Sequence, residues 1–310
     1  MTDAEREGLV VASFGQRGML SPAPISHQAR PNDNTQPVPF ILKGRKLRAV
    51  CGDRVIWHLS ADGDAVVSEV LTRQNALERP DSRGHPETIA ANLTHIVVVL
   101  APVPEADFFI ADRYLCAAEI LRAKAVVVWN KADLQPEPPS ELGIYATLGY
   151  PVVNCSTETG TGIDELESHL STGVAMLVGQ SGVGKSSLIN KMIPNAEMAT
   201  GELSSANREG KHTTTASFMH RFRSGGRLID SPGVRDFAPA IRDVTDVAFG
   251  FVEINSTSKQ CRFADCQHLR EPNCAVKDAV AAGSINERRY ESYKRLRNST
   301  LQLREKMGFR

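Results

Sequence analysis

What the sequence lacks narrows it first. Net charge is missing: 36 lysines and arginines stand against 36 aspartates and glutamates in 310 residues, so the chain as a whole is no polyanion binder by charge alone. No run approaches the roughly 18 consecutive apolar residues that a membrane-spanning helix needs. Met1 to Val10 carries Asp3, Glu5, Arg6 and Glu7 where a secretory leader would carry its apolar core. These absences predict a soluble cytoplasmic protein with no membrane partner, which we expect to be a monomer. Cysteine is scarce and uneven. Cys51, Cys116 and Cys155 are scattered in or beside apolar runs and read as small, reduced core residues, while Cys261, Cys266 and Cys274 crowd together near the end.

What is present begins with Gly179-Gln180-Ser181-Gly182-Val183-Gly184-Lys185-Ser186, a complete phosphate-loop pattern. The apolar run Val174 to Val178 before it predicts a buried strand, and Ser186 to Met192 after it predicts a helix. The glycines therefore fall in the strand-to-helix turn, where backbone N–H groups can close around a β-phosphate at a helix N-terminus. Lys185 would reach the β- and γ-phosphates, the Ser186 hydroxyl would bind Mg²⁺, and Ser187 continues the first helical turn.

A second pattern lies upstream. Ala125 to Trp129 predicts a strand whose end presents Asn130-Lys131-Ala132-Asp133. A carboxylate at Asp133 can accept both the N1–H and the exocyclic amine of guanine, a donor pair that adenine lacks. Pro151 to Ser156 predicts another strand and loop, ahead of Thr159-Gly160-Thr161-Gly162, and offers Cys155 and Ser156 beside the base with a backbone N–H near Ser156 for O6. In the usual order of such domains the phosphate loop comes first. Here it follows the base-reading tetrad, so the chain reads as a circularly permuted α/β nucleotide domain, joined through Ser171-Thr172-Gly173.

Downstream, Asp230-Ser231-Pro232-Gly233 ends an apolar stretch. Asp230 would hold Mg²⁺ through water and the Gly233 N–H would sense the γ-phosphate. Lys211-His212-Thr213-Thr214-Thr215 supplies the hydroxyl that completes the metal shell, from Thr213, Thr214 or Thr215. Val234 stands where a water-orienting glutamine is usual, which predicts slow intrinsic turnover. His212 is the candidate substitute, catalytic alongside Lys185 and Asp230, or else a loop histidine that only packs.

Cys261, Cys266, His268 and Cys274 form C-x4-C-x-H-x5-C. Three thiolates and an imidazole make a closed tetrahedral set, which predicts one structural Zn²⁺. Charge is also unevenly distributed. Residues 287–310 hold Arg288, Arg289, Lys294, Arg295, Arg297, Arg304, Lys306 and Arg310 against Glu287, Glu291 and Glu305. The pattern suits an amphipathic helix with a basic face for phosphate backbones, or a merely solvated one. Lys43, Arg45, Lys46 and Arg48 form a second basic group.

Taken together, Gly52-Asp53-Arg54-Val55, Ala91-Asn92, Asp112-Arg113-Tyr114-Leu115, the base-reading tetrad, the phosphate loop, Lys211 to Thr215 and Asp230 to Arg235 resemble the bacterial family of circularly permuted GTPases called ribosome small subunit-dependent GTPase A (RsgA, YjeQ or EngC) from about Val38 to Tyr293. The resemblance implies a GTPase stimulated by the small ribosomal subunit. It would act in late maturation of that subunit, with rRNA as partner, GTP or GDP with Mg²⁺ in the site, an N-terminal OB-fold and a C-terminal, mainly helical zinc domain. We expect a mobile arm over 1–37, which is polar and carries Pro22, Pro24, Pro31 and Pro37, then a small β-barrel over 38–85. The nucleotide domain would occupy 86–240 and the zinc domain 241–310. Two other classes stay open: an ATP-using phosphate-loop enzyme such as a kinase, for which Asp133 has no use, and a passive RNA binder with a vestigial nucleotide fold.

Overall fold

In the computed structural model the described residues are 5–22, 36–81, 85–193, 216–231, 239–241 and 243–306. The nucleotide domain is built on strands that are buried on both faces. β8 (His95–Leu100), β9 (Lys124–Trp129) and β11 (Val174–Val178) are mostly valine, isoleucine, leucine and alanine, the composition of central parallel strands covered on both sides. With β10 (Val152–Asn154) and β13 (Arg227–Asp230) they run parallel in the order β10-β9-β8-β11-β13. Alternate residues face opposite layers. Ile96, Val98 and Leu100 pack with α1 (Phe108–Leu121) and α2 (Glu141–Thr147), whereas Val97, Val99 and Ala101 pack with α3 (Ile163–His169) and α4 (Lys185–Met192).

The join between α3 and β11 is tight. Gly173 has φ +79°, and a Cβ there would stand 2.1 Å from Thr94 Oγ1. That close approach lets the Thr94 hydroxyl accept from the Val174 N–H at 2.8 Å. A three-residue link thus suffices to carry the chain from α3 into the phosphate-loop strand.

The sheet does not stop at β13. Antiparallel β12 (Ser217–Arg221) pairs with β13 on one side and with β1 (Arg6–Phe14) on the other, through Ala12↔Phe218 and Ser13↔Ser217. β1 opens a five-stranded barrel with β2 (Arg17–Ser21), β3 (Val38–Leu42), β5 (Ala65–Val70) and β4 (Arg54–Leu59), closed by pairing of β1 with β4. Its core holds Val10, Leu20, Phe40, Val55, Trp57 and Val67, and this small Greek-key barrel is of OB type. Here the structure corrects the expected arm over 1–37. Arg6–Phe14 and Arg17–Ser21 are barrel strands: Val10 and Leu20 sit in the barrel core, and Leu9, Ala12 and Met19 are buried as well. A hairpin of β6 (Ala76–Pro80) and β7 (Pro86–Ala91) straddles the expected boundary at 85.

After β13 come α5 (Val244–Gly250), α6 (Val252–Ser258), α7 (Ala275–Ala281) and the long α8 (Glu287–Lys306). Their core includes Val247, Phe251, Ile254, Val276, Tyr293 and Leu296, and it takes in Cys116 from α1. A buried ionic network fixes this seam. The Arg289 guanidinium donates to Asp112 Oδ1 at 2.9 Å and to Glu253 at 2.7 and 3.0 Å. Arg288 reaches Asp112 Oδ2 at 2.6 Å and the Tyr145 hydroxyl donates to Asp112 Oδ1 at 2.7 Å. Arg289 and Asp112 are fully buried. Among the described residues no helix is long and apolar enough to cross a membrane.

Breaking a buried ion pair strands a charge in low dielectric, whereas exposed pairs contribute little. Asp112→Ala is therefore expected to lower unfolding free energy by about 3 kcal/mol, while Glu7→Ala, which removes a half-exposed partner of Arg54, changes it by less than about 1 kcal/mol. Urea denaturation of both variants checks the contrast.

Candidate nucleotide site and metal cluster

In a parallel sheet the carboxyl ends of the strands face one edge, and ligands bind there. β9 delivers Asn130, Lys131 and Asp133 to that edge. β10 delivers Cys155 and Ser156, β11 the loop Gly179 to Gly184 that leads to Lys185, and β13 Asp230. The motifs that the sequence scatters over a hundred residues thus meet at one end of one sheet.

The loops are tied to each other directly. Gly184 has φ +93°, and a Cβ there would lie 2.3 Å from Asn130 Nδ2. With no side chain in the way, the buried Asn130 amide donates to the Val183 carbonyl at 2.9 Å. Lys131 Nζ donates to the Gly182 and Val103 carbonyls, both at 2.7 Å. Three bonds therefore lock the base-reading turn to the phosphate loop and to the loop after β8. Asn130 Oδ1 is buried with no partner among the described residues, an acceptor left over for a donor at the base-reading turn. Lys185 Nζ donates to the Gly179 and Gln180 carbonyls at 2.6 and 2.5 Å, which folds its ammonium back over its own loop.

At the base-reading end, Ser156 Oγ donates to Asp133 Oδ1 at 2.5 Å. That bond fixes the carboxylate plane and leaves Oδ2 and the remaining lone pairs for donors on a base. The Ala132 N–H donates to the Cys155 carbonyl at 3.0 Å, so the β9 and β10 loops are joined through the backbone. The buried Cys155 thiol points to the Gly162 carbonyl at 3.5 Å, and its pKa is pushed up to about 12, by burial first and then by Glu165. Cys155 contributes its main chain here. The Ser156 N–H already donates to Thr161 O at 3.0 Å, so that particular N–H is not available to a base oxygen and the neighbouring Thr157 N–H becomes the candidate donor.

Ser186 and Ser187 are exposed on the first turn of α4, and Asp230 is half-buried at the end of the adjacent strand. His212, Thr213, Thr214 and Gly233 lie outside the described residues. Sequence reasoning missed the contact of Gln180 with α1: the Asp107 N–H donates to Gln180 Oε1 at 3.0 Å, while the Asp107 carboxylate caps Phe109 and Ile110. An aspartate before an apolar helical run signals a helix start, but nothing local signals its long-range partner.

The four residues of the cysteine–histidine pattern converge. Their ligand atoms lie within 4.8 Å of one another, with Cys261 Sγ 3.5 Å from His268 Nδ1 and 3.9 Å from Cys274 Sγ, and Cys274 Sγ 3.5 Å from His268 Nδ1. A tetrahedral metal with sulfur bonds of ~2.3 Å and a nitrogen bond of ~2.1 Å has edges of about 3.8 and 3.6 Å. The cluster fits such an ion with His268 binding through Nδ1. Around it, Tyr290 and Tyr293 donate to the His268 and Gln267 carbonyls at 2.5 and 3.0 Å. The Glu271 carboxylate accepts from the Gln267, Leu269 and Arg270 N–H groups; burial opposes its charge, but those bonds outweigh it and bring the pKa down to about 2.

The basic face expected on residues 287–310 is largely spent. Besides Arg288 and Arg289, Lys294 pairs with Glu291, Arg304 lies 3.8 Å from Asp243, and Arg297 donates to Gln267. In the barrel, Lys43, Arg45 and Lys46 stay exposed, while Arg48 folds onto the Arg45 and Leu47 carbonyls.

Residues 70–239 match the family model described as RsgA GTPase. The chain is 43% identical over 251 residues to the "Small ribosomal subunit biogenesis GTPase RsgA" of Chromohalobacter salexigens, covering 80% of this chain and 74% of that one. To the protein of the same name from Pseudomonas syringae pv. syringae it is 40% identical over 296 residues, covering 94% and 84%. Among solved structures it superposes on YjeQ from Thermotoga maritima with a TM-score of 0.73 at 29% identity, covering 96% and 99% of the two chains. On YloQ, described as a circularly permuted GTPase, it superposes with a TM-score of 0.70 at 23% identity, covering 96% of each chain, a likeness of fold.

If the four ligand atoms hold one metal, removing one opens the shell. Cys261→Ser protein is expected to lose most of its bound zinc by elemental analysis, against about one ion per wild-type chain. Full retention by the variant would overturn the cluster assignment.

Proposed function

The chain belongs to the RsgA GTPase family and is a GTP hydrolase of ribosome biogenesis, and from that premise we propose that it acts on the small ribosomal subunit, late in that subunit's assembly, with rRNA as its binding partner and the subunit as its activator. The observation that carries the reading is the pre-tied edge: Asp133, oriented by Ser156, and the phosphate loop, held by Asn130 and Lys131, belong to one rigid unit before any nucleotide arrives.

On this reading GTP lies across that edge with guanine on Asp133 and the Thr157 N–H. Its phosphates rest against the backbone of Gly179, Gln180, Ser181, Gly182, Val183 and Gly184. Lys185 exchanges the Gly179 and Gln180 carbonyls for phosphate oxygens, a swing that moves one ammonium from neutral to charged acceptors. Ser186 and Asp230, with Thr213 or Thr214, would hold Mg²⁺, which neutralises charge developing on the β- and γ-phosphates. Water attacks the γ-phosphorus in line, and Lys185 with the loop N–H groups stabilises the transition-state charge. Val234 offers no group to orient that water, so turnover is slow until a bound subunit positions His212. Zn²⁺ at Cys261, Cys266, His268 and Cys274 is structural, since a closed four-ligand shell leaves no position for a substrate. We place the protein in the cytoplasm as a monomer.

Steady-state phosphate release with GTP or ATP, each with and without isolated small ribosomal subunits, tests this. GTP turnover is expected to be slow alone, to rise at least about tenfold with subunits, and to exceed ATP turnover under both conditions. Turnover indifferent to subunits would remove the proposed partner; a preference for ATP would remove the base-reading role of Asp133.

A further inference from the structure

The ion pairs of α8 leave an anomaly where that helix crosses α1. Phe109 and Arg113 are four residues apart and share one face of α1. Arg295 approaches the same ring from α8. The two guanidinium carbons lie 5.4 and 4.0 Å from the Phe109 ring centroid. Among the described residues neither side chain has a carboxylate or hydrogen-bond partner, and Arg113 Nε is buried without an acceptor. Neighbouring cations on the same seam, Arg288 and Arg289, are bonded to Asp112 and Glu253. Burial weakens Arg113's hold on its proton, and the charge of Arg295 adds to this while Tyr114 and Asp107 oppose it.

Two like charges gathered on one aromatic ring, one of them partly buried and without a hydrogen-bond partner among the described residues, are costly unless an anion completes them. The ring has a positive effect of its own. It tethers both guanidiniums by cation–π contact, and a guanidinium can bind phosphate oxygens in pairs through its N–H groups. We propose that Arg113 and Arg295, clamped on Phe109, form a contact site for backbone phosphates of RNA at the seam between the nucleotide domain and the C-terminal helices. The inference rests on the ribosomal reading above and names a place on the protein for it. The site is also close to the nucleotide: Arg113 lies six residues along α1 from Asp107, whose N–H is bonded to Gln180 of the phosphate loop, about 9 Å at the helical rise.

The test is a salt titration of the full chain with two probes, polyuridylate and isolated small ribosomal subunits, for wild type, Arg295→Ala and the double variant Arg113→Gln/Arg295→Ala, with GDP binding measured in parallel. Each lost phosphate contact should flatten the plot of log affinity against log salt by about 0.7 for a single strand and lower affinity about fivefold at 0.1 M salt. GDP affinity should not change. Slopes equal to wild type on both probes overturn the site, and so does an RNA loss independent of salt. If the double variant also loses GDP binding, Arg295→Ala decides alone, since it trims an exposed side chain. Wild-type binding to polyuridylate but not to subunits would sink the ribosomal reading and leave this site standing. Wild-type binding to neither would sink both.

Discussion

The Asn130 amide donates to the Val183 carbonyl inside the protein, across a gap that the absent side chain of Gly184 leaves open. That bond joins the end of β9 to the loop after β11, two strands separated in the sheet by β8. With the two Lys131 bonds it makes the base-reading and phosphate-binding loops one body. On the proposed function a nucleotide would meet a surface already tied together, with little binding free energy going into ordering it. The rest of the edge follows. Asp133 is held at one end by Ser156, and Lys185 waits at the other on carbonyls it can exchange for phosphate.

Permutation changes what this edge is connected to. In this chain Ser217 and Ala240, described residues that follow the Lys211 to Thr215 and Asp230 to Gly233 motifs, bond to the barrel and to the hairpin. Ser217, where the chain re-enters β12, donates its hydroxyl to Ser231 at 2.8 Å, pairs with Ser13 of barrel strand β1, and accepts from the Cys51 thiol through its carbonyl. Further on, the Ala240 N–H donates to Glu78 O of the hairpin at 2.9 Å. From there the chain enters the C-terminal helices, which the Asp112–Arg289–Glu253 network fastens to α1. The barrel, the hairpin and the C-terminal helices that carry the cysteine–histidine cluster are thus each attached, by hydrogen bonds or buried charge, to elements that begin or end at the candidate site.

Much of this was legible in the sequence because its signals are local. A phosphate loop needs glycines, lysine and serine within eight positions, and the thiolate–imidazole set needs four ligands within fourteen, so Gly179 to Ser186 and Cys261 to Cys274 announce themselves. The order of Asn130 before Gly179 was enough to read the permutation. What stayed hidden was long-range. Arg288 and Arg289 look like RNA-facing charge until Asp112, 177 residues from Arg289, takes them. The Ser156 N–H looks available until Thr161 accepts it. β1 and β2 were obscured by composition, since the prolines at 22, 24, 31 and 37 gave the whole segment a disordered character although Leu9 to Ala12 and Met19 to Leu20 carry a barrel face.

The central claim is that Asp133 reads the base at an edge preassembled by Asn130 and Lys131. Its most direct test is calorimetric titration of wild type and Asp133→Asn with GDP and with xanthosine diphosphate, in which a carbonyl replaces the exocyclic amine of guanine. An asparagine amide can donate to that carbonyl, so the preference should invert, with wild type favouring GDP and the variant favouring xanthosine diphosphate by about tenfold or more each way. An unchanged preference for GDP in a variant that still binds nucleotide would contradict the account and place the base elsewhere.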